Sequence, residues 1–190
     1  EEDEERRLQS VAKIIKSLDK FIDPYPSDGG CDEGPGYWGR AGASLFDCLE
    51  LLLSATDWAI NVYDEPLIEN IGRFIQRVQI SGRYFINFAD APAVVTSSAP
   101  LVYHYGCRIG DADMQAMGAW AAKDQGLFEK GLGDSIGRQL PALFIARKVQ
   151  NATAAQPLPR DVWMDGIQVM VARDRAGSDQ GFFVAAKGGH

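Results

Sequence analysis

The chain has 190 residues, is 46% hydrophobic and 24% charged, and carries a formal net charge of −7. That apolar content makes a soluble globular core feasible and does not imply disorder, and no apolar run reaches the roughly 18 residues that span a bilayer. The acidic balance argues against a nucleic-acid or generic polyanion surface, leaving Arg40, Arg73, Arg77, Arg83 and Arg108 to build any local basic patch.

The three cysteines, Cys31, Cys48 and Cys107, lack C-x-x-C spacing, which excludes a zinc knuckle and indicates no disulfide framework, although a single bridge stays open. Cys48 and Cys107 read as small core residues and Cys31 as the filler of a tight loop. The chain opens Glu1-Glu2-Asp3-Glu4-Glu5 without an initiator Met, and is expected to be a piece of a longer polypeptide.

Leu8, Val11, Ile15, Leu18 and Ile22 repeat at helical spacing and predict a first amphipathic helix. Asp23-Pro24 and Tyr25-Pro26 stop it, because the residue before proline is pushed out of α geometry. Then comes Ser27-Asp28-Gly29-Gly30-Cys31-Asp32-Glu33-Gly34-Pro35-Gly36-Tyr37-Trp38. Four glycines and a proline between residues 28 and 37 forbid regular helix there and permit close backbone approach.

A second helical face is expected from Leu45, Leu49, Leu52 and Ala59. A third is expected from Leu67, Ile71, Phe74 and Val78, behind the Asp64-Glu65-Pro66 start signal. Weaker helical patterns cover 98–107, 111–123 and 135–147, and the short connections imply antiparallel neighbours. From Gln150 to Pro159 the composition becomes that of a linker, where a mobile tail is expected to begin. The period then changes to two, with Ile167, Val169 and Val171 facing one way and Gln168, Met170 and Ala172 the other. A turn over 174–179 and a returning strand from Phe182 to Lys187 complete a hairpin. An isolated hairpin is marginal in water, so this one either packs on the helices or belongs to a larger sheet. Left uncovered, it would drive self-association.

Three segments resemble heparinase II/III-like polysaccharide lyases. These are Asp28-Gly29-Gly30 with Glu33-Gly34-Pro35-Gly36-Tyr37-Trp38, then Arg83-Tyr84-Phe85-Ile86-Asn87-Phe88-Ala89-Asp90, then Gln168 to Arg173 continuing through Gly181 to Gly188-Gly189-His190. They occur in the family's order across residues 27–190. The resemblance implies a mainly α chain with a C-terminal β-hairpin: residues 1–155 from an (α/α) toroid, and residues 156–190 beginning an antiparallel β-sandwich. It also implies a periplasmic or secreted location and an acidic polysaccharide or oligosaccharide as partner, with no nucleic acid or membrane. In the family a histidine-bearing segment with part of a metal site follows the position of His190. No metal or other cofactor is therefore expected within these residues, and the 190 residues alone are expected to be inactive.

The implied reaction is β-elimination at a uronic acid. It needs the C5 carboxylate neutralised, the C5 proton removed and the O4 leaving oxygen protonated. Tyr84 falls where the family's catalytic tyrosine does, beside Arg83 and ahead of Asn87 and Asp90; the alternative is a packing tyrosine at the end of the third helix. Glu33 is the family's acidic loop residue, suited to a sugar hydroxyl or to bracing the loop, or else a charge favoured by a helix N-terminus. Tyr37 and Trp38 either stack on a sugar ring or plug into the core.

At Gly30 the family usually places Asn or His to neutralise the substrate carboxylate, so Asn87, His104 or an arginine would have to do so here. His104 is otherwise a packed or surface histidine. Two other classes stay open. One is an (α/α) glycoside hydrolase with Glu33 or Asp32 as general acid. The other is a non-catalytic sugar-binding module.

Overall fold

The computed structural model describes residues 3–131 and 135–189. Glu1, Glu2 and the terminal His190 lie outside the described residues.

The first helix, α1 (Glu4–Ile22), starts on Asp3, whose carboxylate accepts from the Arg6 N–H as an N-cap. It stops before Asp23-Pro24, where expected. None of its residues is buried; only Leu18 and Ile22 pack against the core, and Leu8 and Ile14 face solvent. The glycine-rich loop ends in a single helical turn, α2 (Pro35–Trp38), with Pro35 at its first position. The helices α3 (Gly42–Ala55) and α4 (Pro66–Arg77) follow. Ile71, Phe74 and Val78 are fully buried, whereas Ala59, expected on the second helical face, lies beyond the end of α3 and is exposed.

A short hairpin of β1 (Gln79–Ser81) and β2 (Tyr84–Phe85) comes next. The remaining helices are α5 (Ala99–Arg108), α6 (Ala112–Asp124), the turn α7 (Leu127–Lys130) and α8 (Ile136–Asn151). The α5 and α6 helices meet through glycines, Gly106 against Gln115 and Gly118 against the Tyr103 backbone. That pairing makes them antiparallel, as the short connection implies.

The C-terminal sheet holds three antiparallel strands in the order β3 (Asp161–Met164), β4 (Val169–Arg173) and β5 (Phe183–Lys187). The expected hairpin is β4–β5, with Val171 opposite Ala185; β3 adds to its other edge. Met164, Val169 and Val171 enter the same core as Trp38, Phe46, Ile71 and Phe74, joined by Ile167 from the β3–β4 turn. The sheet therefore packs on the helical part. Its other face leaves Trp163 and Val184 exposed, and Phe182 beside it is also exposed.

The expected mobile tail is instead a tied segment. The Ala155 N–H donates to the Ala116 carbonyl at 3.1 Å. The Gln156 side-chain oxygen accepts from the Gln79 amide and the Gly82 N–H, and Leu158 is buried. Arg173, only 6% exposed, fastens the sheet to its surroundings. It donates to the carbonyls of Gln79 (2.9 Å), Ile80 (3.1 Å), Pro159 (2.9 Å) and Ser178 (3.3 Å), and its guanidinium stacks on Phe183. All three cysteines are free. Cys31 is buried and Cys48 half-buried, but Cys107 is exposed rather than a core residue.

Candidate functional site

The glycine-rich loop is held by its own polar groups and by α4. The Asp28 carboxylate accepts the Gly30 N–H at 2.8 Å on one oxygen and the Gly166 N–H at 2.6 Å on the other. Arg77 and Asn70 donate to the carbonyls of Asp28 and Ser27. Gly29 has a positive φ (+73°) and lies against the Asn70–Ile71 backbone, where any side chain would collide. Gly34, at φ +88°, lies against the Phe88 carbonyl and the Ala91 methyl, and Gly36 lies against Pro92.

These contacts bring the three sequence segments together. The loop carrying Glu33 and Tyr37 rests on the 88–92 stretch that follows Asn87, and its Gly30 faces Ile167 of the β3–β4 turn. Lys187 of β5 stands over the Phe88 ring, 5.8 Å from its centre. Glu33 and Asn87 are both exposed. Tyr37 is 37% exposed and offers part of its ring.

Trp38 is different. It is 1% exposed and its indole N–H donates to the Ile71 carbonyl at 2.8 Å. Of its two expected roles the buried one holds, and no ring face is left for a sugar.

Tyr84 sits on β2, not at the end of a helix, and is 58% exposed. Its strand is hydrogen-bonded to the stretch 93–95 on its other side: Phe85 N–H to the Ala93 carbonyl, and Val95 N–H to the Arg83 carbonyl. Arg83 is drawn to Asp124, with the guanidinium 2.6 Å from the carboxylate, so the cation next to Tyr84 in sequence is already engaged.

His104 joins a separate cluster. It faces the Phe46 ring and lies 3.5 Å from Glu50. Burial lowers its pKa against the opposing pull of Glu50, so at neutral pH the contact is not an ion pair. Glu50 itself accepts from Arg108 at 2.7 and 2.8 Å and from the Tyr63 hydroxyl at 2.8 Å. Burial alone would raise the Glu50 carboxyl; these hydrogen bonds outweigh it and hold the group below its ordinary value. Burial raises the Cys31 thiol, which leaves it a packing residue of the loop rather than a nucleophile.

Beside the loop lies a cavity of about 330 Å³. Trp38, Ile75 and Val95 give it an apolar floor, and Arg40, Thr96, Ser97, Ser98, Gln125 and Arg138 give it polar walls. No acidic side chain lines it among the described residues. The sequence did single out Arg40, but Thr96, Ser97, Ser98, Gln125 and Arg138 carry no motif; only their convergence marks them. No group of three or more His, Cys, Asp or Glu placed to hold a metal ion occurs among the described residues. No described helix is long and apolar enough to cross a membrane. No family model matches the chain, and no curated protein matches it.

Proposed function

We propose that this chain contributes the toroid helices and the first sandwich strands of a polysaccharide lyase, which cleaves uronic-acid-containing chains by β-elimination. The observation that carries this reading is the meeting of three segments distant in sequence: the glycine-rich loop, the stretch beyond Tyr84, and the terminal sheet. Gly34 against Phe88, Gly30 against Ile167, and Lys187 over Phe88 form a joint between helical and strand portions, with exposed Glu33, Tyr37 and Asn87 around it.

In this reaction the C5–H bond breaks and its electron pair forms the C4=C5 double bond. The C4–O4 bond breaks as that double bond forms, and the departing oxygen takes a proton. Tyr84, entering the step as its phenolate, takes the C5 proton and returns it to the departing O4. Glu33 and Asn87 accept and donate hydrogen bonds to sugar hydroxyls, and Tyr37 offers a ring edge to the pyranose. The reading carries with it a periplasmic or secreted location and an acidic polysaccharide as substrate.

The test is made in the polypeptide that joins this chain to the rest of the sandwich. Uronate polysaccharide should yield unsaturated, ultraviolet-absorbing ends. Tyr84→Phe, which removes one exposed hydroxyl, should lower turnover by about two to four orders of magnitude with unchanged melting. Full activity in that variant would overturn the assignment. Saturated ends abolished by Glu33→Gln would favour a hydrolase, and binding without any cleavage would favour a sugar-binding module.

A further inference from the structure

A uronate carries a carboxylate that the protein must neutralise, and the family's usual position for that group is Gly30. Here the space beyond Gly30 is filled: a Cβ there would lie 2.7 Å from two carbons of the Ile167 side chain. The neutralising group must come from elsewhere, and His104 is held in the separate cluster with Glu50 and Phe46. Among the basic candidates, Arg73 pairs with Glu69 and Asp111, Arg83 with Asp124, and Arg108 with Glu50. Arg77 is spent on the Asp28 carbonyl and the Asn70 side chain. Arg40 remains, exposed, with no carboxylate partner among the described residues, on the wall of the acid-free cavity.

We infer that this cavity, between α2 and the stretch 95–98, is the subsite that receives the carboxylate-bearing sugar ring, with Arg40 as its specificity-determining residue. The inference rests on the lyase reading and goes further, because it assigns the carboxylate to a residue outside the three matching segments.

The chemistry of the walls fits. The volume of about 330 Å³ lies at the small end of the roughly 300–1,000 Å³ typical of ligand sites. Trp38, Ile75 and Val95 close the floor but are themselves buried, so the polar walls make the contacts to a sugar. The Ser98 hydroxyl makes no capping bond to α5 and is left for a ligand, as part of a run of three hydroxyl residues with Thr96 and Ser97. Arg40 supplies the guanidinium fork that matches a carboxylate. Arg138 is held at 2.8 Å by Asp47 and donates to the Gly39 carbonyl at 2.9 Å, so it braces the residue next to Arg40 as a positioning residue.

The experiment is a calorimetric titration of the 190-residue chain with a glucuronate-containing trisaccharide and with the same trisaccharide after reduction of its carboxylates to alcohols. The acidic sugar is expected to bind at least tenfold more tightly, with an affinity that falls as salt rises. Arg40→Gln should weaken acidic-sugar binding by about 10- to 100-fold, the worth of one hydrogen bond to a charged group. It should leave reduced-sugar binding and melting temperature unchanged, and Arg40→Lys should recover part of the loss. Equal binding of the two sugars, binding of neither, or an indifferent Arg40→Gln would each overturn the inference. The lyase reading is judged separately, by whether unsaturated ends appear and depend on Tyr84, so an indifferent Arg40 removes the subsite without removing the reaction.

Discussion

Gly30 is decided by space rather than by backbone freedom. The three nearest atoms to a Cβ built on it are Cδ1, Cγ1 and Cγ2 of Ile167, at 2.7, 2.7 and 2.9 Å. Since Ile167 belongs to the main core, the Asn or His that the family resemblance places here would have to expel it. Gly30→Ala should therefore cost about 1–3 kcal/mol by overpacking, and Ile167→Val about 0.5–1.5 kcal/mol by loss of a buried methyl group. Because the deleted Cδ1 is one of the three atoms that crowd the added methyl, the double variant should lose somewhat less than the two singles together. Urea denaturation of all four proteins measures the coupling; strictly additive losses would show that the contact is slack. Glu33, Tyr37 and Asn87 could be picked out from residue type and neighbourhood. Burial was one of the two roles open for Trp38; what secures it, the Ile71 carbonyl thirty-three positions away, carries no local signal.

Between elements, Glu50 on α3 is the clearest tie, taking Arg108 of α5 in a two-pronged grip and the Tyr63 hydroxyl from the connection ahead of α4. Its carboxyl is depressed in the folded state. The stability it contributes is therefore present above the unfolded carboxylate value, about 4.3, and is lost as pH falls through the lower folded value. Glu50→Gln should cost about 1–3 kcal/mol at pH 7. The gap to the unsubstituted protein should narrow steadily below about pH 4, as the native carboxyl is protonated. Denaturation midpoints at several pH values test this, and a gap that stays constant into acid would place the stabilisation elsewhere.

The helices α1, α3 and α4 were legible in the sequence because each repeats apolar residues at helical spacing, α5, α6 and α8 more faintly, and the β4–β5 hairpin because Val169 and Val171 alternate with Met170 and Ala172 ahead of a turn. The β1–β2 hairpin and β3 escaped for a physical reason. Strands of two to four residues are too short to display a period, and their partners, not their composition, hold them in place. The cavity escaped likewise, being assembled from stretches around positions 40, 96–98, 125 and 138 that share no local pattern.

Across the whole molecule, the helical and strand portions share one core and one buried arginine. Arg173 reaches four carbonyls from three parts of the chain and is only 6% exposed, so its N–H groups depend on those carbonyls rather than on water. The two portions should consequently melt as a unit. A chain ending at residue 155 should lose the cooperative transition, because Met164, Ile167, Val169 and Val171 no longer cover Trp38 and its neighbours. Calorimetry that finds a sharp transition in the shortened chain would show that the helices fold without the sheet.

The bond from Asp28 to the Gly166 N–H spans 138 positions, and this bears on how the molecule is made. A ribosome makes the glycine-rich loop well before the β3–β4 turn that covers it. The loop therefore waits, uncovered, while the helices between the two are made, and locks only when the β3–β4 turn closes over it. The proposed sugar-binding loop is thus made well before it can become rigid.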